Sequence, residues 1–565
     1  MGQLDFYVMA IFAMLIFAIG LVFTRAGSKS GQAFFEAGGE TPWWINGLSL
    51  FISYFSAGTF VVWGSIAYKN GLVANVIQLT MAISGLIVAL FIAARWKKTG
   101  ATTAADYLGR RFGTRLQQFY TYLVLSLSLF TTAAVLYPVG KMVYVATPFS
   151  LNACIIGIGI IIVLYTAAGG LWAVLVTDVV QFVILTASVL IVIPIAFSHI
   201  GGPANLVAKA PDNFFNFFSE DYTFGFILAF VVYQVFYIGG NWSYVQRYTS
   251  VSSARNAKKV AYIFTALYLV SPVIWMIPPM VYRIINPNLQ GLEPEGAYMM
   301  LCQKVLPAGL IGLVLAGMIS ATSSKANTTI NLVATVFAND IYKTLIRPAA
   351  SEKEIILMAR IFTLLFGAGT IVVAILIPHV GGIVEVVLST ASIAGGALFG
   401  PIIWSLFTTR QRANSLLVTS VASLSINLFL KIGMPLLANV KLNRTWETLF
   451  GVGIPLLLLA GFELYYRASG KTGPAFLRED VKPYVLDDKE QARYHEAAGE
   501  QNRFGIKVIA LSMAVVGSGI FILGVLANEF AAVVMSVGGV IFLSAGWIWH
   551  LSRKPDNSGR DLVKA

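Results

Sequence analysis

The amino-acid sequence predicts an all-α polytopic membrane protein of about 15 transmembrane helices, with a five-plus-five inverted-repeat core whose first and sixth core helices are broken. Three observations predict it. The chain of 565 residues is 57% hydrophobic and only 12% charged, about half the charged fraction of a soluble domain. Apolar runs of roughly 20 residues, the length of one bilayer crossing, recur from Leu4 to His550. Two of those runs are interrupted by glycine and polar residues, five spans apart.

The runs lie at 4–24, 43–68, 72–95, 117–146, 150–168, 171–195, 223–246, 258–285, 306–340, 355–378, 381–408, 413–434, 446–466, 507–527 and 530–550. Residues 1–5 lack a basic leader and the first run is full length, so the first span is expected to be retained. The expected organisation is a leading helix and loop (1–42), a first five-helix repeat (43–195) and a second repeat with its leading extracellular loop (196–408). Two accessory helices (409–466), a cytoplasmic polar loop (467–506) and two C-terminal helices with a tail (507–565) follow.

Of 39 Lys and Arg residues, 30 fall in segments that are cytoplasmic if the N-terminus is outside and the C-terminus inside. Eight fall outside: Lys69, Lys141, Lys209, Arg283, Lys304, Lys431, Lys441 and Arg444. This is the positive-inside asymmetry, so the net charge of +13 reflects orientation in a lipid bilayer and gives no reason to expect a nucleic-acid partner. The expected location is a bacterial inner (plasma) membrane. One cation remains, Lys325, inside the ninth run. Cys154 and Cys302 have no metal or redox spacing and are expected to be buried thiols. The four histidines, His199, His379, His495 and His550, sit at loops or span ends and predict no metal cluster.

Polar interruptions inside spans point to a lined cavity, because backbone and side-chain polar groups in hydrocarbon must be satisfied by protein or water. The second span is cut at Ser56, Ala57, Gly58 and Thr59, and the seventh at Gly239, Gly240 and Asn241. Five spans of offset reverse the direction of membrane entry, which makes the pair an inverted repeat with discontinuous helices at a midplane site. Glycines that merely allow close helix packing are the competing reading. In the ninth span Ser320, Ser324, Asn327, Thr328 and Asn331 share one broad helical face, and their hard oxygens suit an alkali cation or a polar solute. An ammonium beside them, Lys325, costs roughly 2.5–3.5 kcal/mol near mid-bilayer and needs a partner or water.

Several stretches then resemble one family, the solute:sodium symporters. YTAAGGLWAVLVTDVVQ at 165–181 is similar to its fifth-core-helix signature, FFEAGG..PWW..GLSL at 34–50 to the approach to its first core helix, and NWSYVQRY at 241–248 to its sixth. TTAADYLGRRFG after the third span and ANDIYK at 338–343 also fit. The resemblance covers about residues 4–466. It implies alternating access, with solute held between the broken helices.

Carried over by position, the resemblance places the family's common sodium site on the carbonyls of Ile52 and Phe55 and on Ala321, Ser324 and Lys325. Lys325 therefore stands where a second coordinating hydroxyl is expected, and a fixed ammonium there would occupy or repel the charge the site should bind. A one-turn slip to Gly317 and Ser320 would preserve a sodium site. A further sodium position in some members matches Asp178, Asn327 and Thr328, which makes Asp178 the expected partner of Lys325. The coupling ion is thus either Na+ or its replacement by Lys325, with H+ carried by that lysine as a further option; no other cofactor is implied.

Candidate solute contacts are Ser53, Tyr54, Ser56 and Thr59 in the second span, Gln78 in the third, and Tyr237, Asn241 and Trp242 in the seventh, since aromatic faces stack on rings or cations and amides and hydroxyls bind polar groups. Glu385 either caps its helix or touches an outer vestibule. The chain carries no pore-ring motif and no paired acids, HExxH or Ser/His constellation, which argues against a channel or an enzyme. The expected function is secondary transport of a small polar organic solute, the alternatives being a transporter-fold solute sensor and a conventional sodium symporter. Oligomeric state is not legible.

Overall fold

A computed structural model describes residues 1–27, 41–101, 103–165, 171–474 and 488–552. Residues 34–39, 102 and 166–170 of the motifs above lie outside the described residues. The described chain is helical throughout, without strands. Helix α1 (Gln3–Gly27) leads. The second span is in two pieces, α2 (Trp43–Ile52) and, beyond an irregular stretch at 53–56, a π-helical turn Thr59–Trp63 continued by α3 (Gly64–Asn70). The first repeat continues with α4 (Val73–Ile87), α5 (Ala93–Lys98), the amphipathic α6 (Ala104–Phe112), α7 (Thr114–Ala146), α8 (Leu151–Tyr165) and α9 (Leu171–Ile200).

The second repeat opens with α10 (Phe224–Gly240) and α11 (Trp242–Thr249), bent by 58° at Asn241. It continues through α12 (Ala254–Ile285), the loop helix α13 (Ala297–Val305), α14 (Leu310–Val336), α15 (Glu352–Leu376), α16 (Ile383–Thr390) and α17 (Gly396–Ser405). Outside these repeats stand α18 (Ala413–Leu428), α19 (Arg444–Ala468), α20 (Asp488–Leu526) and α21 (Ala531–Leu551).

Ten helices among the described residues are long and apolar enough to cross a bilayer, eleven if the bent pair α10 and α11 is one span. The remaining four expected positions hold shorter apolar stretches, Gln3–Ile16, Trp43–Ile52, Leu151–Val163 and Leu310–Ser323. Among the described residues the expected count of 15 is not confirmed: α2 ends at a break, and the other three stretches run to the edge of the side chains described. Helix α20 begins at Asp488, inside the stretch expected to be a polar loop.

Both expected breaks are present. At the second one, Gly239 and Gly240 combine the two readings of their role. A side chain at Gly240 would meet Phe399 Cβ at 2.9 Å, and one at Gly239 would meet Ile92 and Ile403 at 3.1 and 3.2 Å. Close packing therefore demands glycine where the helix ends. The freed carbonyls are satisfied from neighbouring elements: Trp96 Nε1 donates to Gly239 O at 2.6 Å and Tyr248 Oη to Ile238 O at 3.2 Å. Asn241 then caps α11, its side chain accepting from Ser243 N at 3.0 Å.

The first break falls at 53–56, about a turn before the expected Ser56 to Thr59. There Ser56 N donates to Thr59 Oγ1 at 3.3 Å and Gly58 N to Ser56 Oγ at 3.2 Å. These side chains are the cap of the returning helix, so they mark where it resumes and not where it stops.

An aromatic core holds the broken span. Phe51, Phe55 and Phe60 are fully buried, Phe55 stacks on Trp275 of α12 at 3.4 Å, and Phe60 stacks on Tyr298 of α13 at 4.0 Å. At the start of α14, Asp5 Oδ1 accepts from the amides of Gly309 and Gly312 at 2.7 and 3.3 Å. A carboxylate from α1 thus satisfies the helix's first donors and faces its positive end.

Candidate functional site

The two breaks face one cavity of about 270 Å³ between α2, α7, α9, α10, α11 and α14. Six of the eight predicted solute contacts line it: Ser53, Tyr54, Ser56, Thr59, Tyr237 and Asn241. Gln78 and Trp242 do not. Gln78 is buried within α4 with neither amide atom bonded among the described residues, and Trp242 follows Asn241 by one residue, which turns it about 100° away around the helix. Ile52 and Ala321 line the cavity, whereas the Phe55 ring is spent on Trp275. The side chains of Ser324, Asn327 and Thr328 lie outside what is described; their backbone belongs to α14.

Tyrosines dominate one wall. Tyr54 stacks on Tyr244 at 5.1 Å and meets Tyr237 edge-on at 5.6 Å, and Tyr233 stacks on Tyr237 at 5.7 Å. Buried polar atoms without a hydrogen-bond partner among the described residues face the same space: Tyr54 Oη, both amide atoms of Gln181 and Gln234 Oε1. Buried polar groups are normally bonded. Aromatic faces beside unsatisfied amides and a phenol suit a solute with a flat or ring-shaped apolar side and several polar groups.

Three charged side chains reach the cavity: Asp178, Arg247 and Lys325. Asp178 does not bond its expected partner. Its Oδ2 accepts from Ser49 Oγ at 2.6 Å and lies 3.9 Å from Arg247 NH2, both groups being almost completely buried. Arg247 also donates to Ser49 Oγ at 3.3 Å and to Ser243 O at 2.8 Å. This triad ties α2, α9 and α11 together. Thr41 N adds to it by donating to Ser250 O at 3.1 Å, joining the start of α2 to the end of α11.

Lys325 instead points at the end of α2, where its Nζ donates to Ser53 O at 3.2 Å. Ser53 is the C-cap of α2. The last carbonyls of a helix lack intrahelical partners and carry the negative end of its dipole. The ammonium therefore occupies the carbonyl-rich end of a half-helix, between the Ile52 and Phe55 positions that the family resemblance gives to sodium.

At the opposite end of the bundle the buried carboxylate of Glu295, just before α13, accepts from Tyr137 Oη at 2.6 Å and Ile383 N at 3.0 Å, with Lys141 Nζ 4.0 Å away. It joins α7, the loop helix and the start of α16. Glu385, in the first turn of α16, is held in an ion cluster, 2.7 Å from Lys431 and 3.5 Å from Arg444.

A profile described as the sodium:solute symporter family matches residues 34–422. The chain belongs to the sodium:solute symporter family. Its relatives include the human sodium/myo-inositol cotransporter 2, 27% identical over 64% of this chain and 59% of that one. The sodium/glucose cotransporter of Vibrio parahaemolyticus is 26% identical over 77% of this chain and 86% of its own length. The sodium/sialic acid symporter of Aliivibrio fischeri is 26% identical over 76% and 88%. The chain thus spans less than two thirds of the inositol cotransporters it matches. A solved Na+-coupled sialic acid symporter superposes with a TM-score of 0.68 at 22% identity, over 82% of this chain and 98% of that one, and shares the fold.

Sequence reasoning missed Arg247, Tyr244, Tyr233, Gln181 and Gln234. A signal existed. Arg247 and Tyr244 lie within the NWSYVQRY stretch beyond the break, and Gln181 is one turn from Asp178. Counting Arg247 among cytoplasmic loop charges concealed it.

Proposed function

We propose that this symporter-family chain is a secondary transporter of a small polar organic solute, working by alternating access, in which Lys325 supplies the positive charge that a bound sodium ion would otherwise bring to the broken first core helix. The observation that carries this reading is the Lys325 Nζ to Ser53 O hydrogen bond at the end of α2. Solute binds between the tyrosine wall and the free amides. The ammonium holds the carbonyl end of α2, and the Ser49, Asp178 and Arg247 triad ties the half-helices at one end.

The test is thermal stability of the purified protein against a panel of inositols, hexoses, sialic acid and carboxylates, with either sodium or choline as the added cation. A ligand that favours the folded state raises its apparent stability. Equal stabilisation in choline supports Lys325 as the built-in cation. Stabilisation that requires sodium overturns that part and favours the second reading, ordinary sodium symport, which rests on the family and on the sodium-coupled relatives. Binding without uptake into proteoliposomes would instead identify a solute sensor.

A further inference from the structure

We infer that the solute of the cavity between the two breaks is an anion, a small ring-bearing molecule with a single carboxylate whose charge Lys325 balances, on the reading of that cavity as a transporter's solute site. Charge balance is what points to an anion. The segments that line the cavity are 43–87 (α2, the first break, α3 and α4), α7, α9, α10, α11, α14 and α16. Their sequences hold two acidic residues, Asp178 and Glu385. Glu385 is engaged away from the cavity lining, by Lys431 at 2.7 Å and Arg444 at 3.5 Å. Asp178 is engaged within it, by Ser49 Oγ at 2.6 Å and the Arg247 guanidinium at 3.9 Å.

Lys325 is the cation these carboxylates do not balance. Its Nζ donates to Ser53 O at 3.2 Å. A carbonyl takes one of the three N–H groups of an ammonium and brings no negative charge. The side chain is part-buried and belongs to the cavity wall. Asp178, Arg247 and Lys325 therefore give the wall a net positive charge of one before solute enters. A neutral solute leaves that charge in place at the middle of the bundle, and a dianion inverts it. A monocarboxylate brings the loaded cavity to neutrality, and a buried charge is far less costly when it is paired and hydrogen-bonded. The ammonium-to-carboxylate hydrogen bond is also stronger than one between neutral groups.

The rest of the wall suits the rest of such a molecule. Tyr54 Oη and Gln181 Nε2 face the cavity without a hydrogen-bond partner among the described residues, and both can donate to a carboxylate oxygen or accept a ring hydroxyl's neighbour in their place. The rings of Tyr54, Tyr237 and Tyr244 offer faces and edges to a flat apolar side. A volume of about 270 Å³ limits the occupant to one small molecule.

The test uses the full-length protein in phosphatidylcholine nanodiscs at neutral pH, where carboxylic acids are ionised. The probes are acids matched with their amides: benzoate and benzamide, nicotinate and nicotinamide, glucuronate and glucuronamide. Melting temperature is followed across a concentration series of each, in choline and in sodium, for the wild type, Lys325→Met and Lys325→Arg. Uptake of the same probes into proteoliposomes is measured alongside. The expected result is that at least one acid stabilises the wild type while its amide does not. Lys325→Met should weaken the apparent affinity for that acid roughly thirtyfold, and Lys325→Arg should keep part of it. If Lys325→Met fails to fold, the comparison of each acid with its amide in the wild type decides without it. An amide that stabilises as well as its acid, an acid effect that survives Lys325→Met, or no stabilisation by any of the three acids overturns the inference. The transporter reading fails separately. An acid that binds and is not taken up supports the solute class and removes transport, whereas uptake of an amide without its acid keeps transport and overturns the solute class.

Discussion

Lys325 carries the sharpest test of coupling. Replacing it with serine restores a hydroxyl at the position the family resemblance assigns to a sodium ligand and removes the ammonium from Ser53 O. Lys325→Ser should make solute-induced stabilisation depend on sodium, while Lys325→Met should lose it in sodium and choline alike. Melting curves in the two salts check both. A Lys325→Ser protein stabilised equally in choline would show that the ammonium is not a cation substitute. The lysine was legible in the sequence because a lone charge in an apolar run is costly. Its partner was not. The sequence offered Asp178, but the 58° bend at Asn241 brings Arg247 back into the bundle, where it meets that carboxylate first.

That bend makes the element the next unit of argument. Arg247→Gln removes the cation facing Asp178 and leaves a nearly fully buried carboxylate with Ser49 as its hydrogen-bond partner among the described residues, which should cost roughly 3–5 kcal/mol. Asp178→Asn in the same chain should recover part of that loss, and the double-mutant cycle measured by denaturation of the detergent-solubilised protein checks the coupling. Additive losses would mean the two groups do not interact. Gly240→Val tests the break itself: its Cβ would meet Phe399 at 2.9 Å, so overpacking of about 1–3 kcal/mol is expected. Unchanged stability would mean that α10 can shift away from Phe399. The glycines made this break legible from sequence. The first break was placed a turn late because its obvious punctuation, Ser56 to Thr59, is the cap of the resuming helix, while the chain leaves α2 at Ser53 with no glycine to announce it.

At the scale of the whole molecule, apolar run length located the helices but could not say which stretches belong to the family's common core. The family profile ends at residue 422, and α20 and α21 lie beyond it. They form a close pair: a Cβ at Gly517 would meet Phe542 N at 2.7 Å, and one at Gly538 would meet Phe521 N at 2.6 Å. Most of the tight packing is therefore internal to the hairpin. Its contacts with the body are apolar, with Gly519 near Phe12 of α1 and Leu523 over Gly309 beside Leu4. Lipid is as apolar as the side chains it would replace, so removing such a hairpin forfeits packing without a hydrophobic penalty. A chain ending at Pro474 should consequently insert, fold and keep its solute-induced stabilisation. Its melting temperature should fall by a few degrees, because Leu523 packs against Gly309, whose amide Asp5 caps. Size-exclusion profiles and melting curves of the shortened and full-length chains check this. An aggregated or unfolded shortened chain would mean that the hairpin is part of the folding unit, and that the capped start of α14 depends on it.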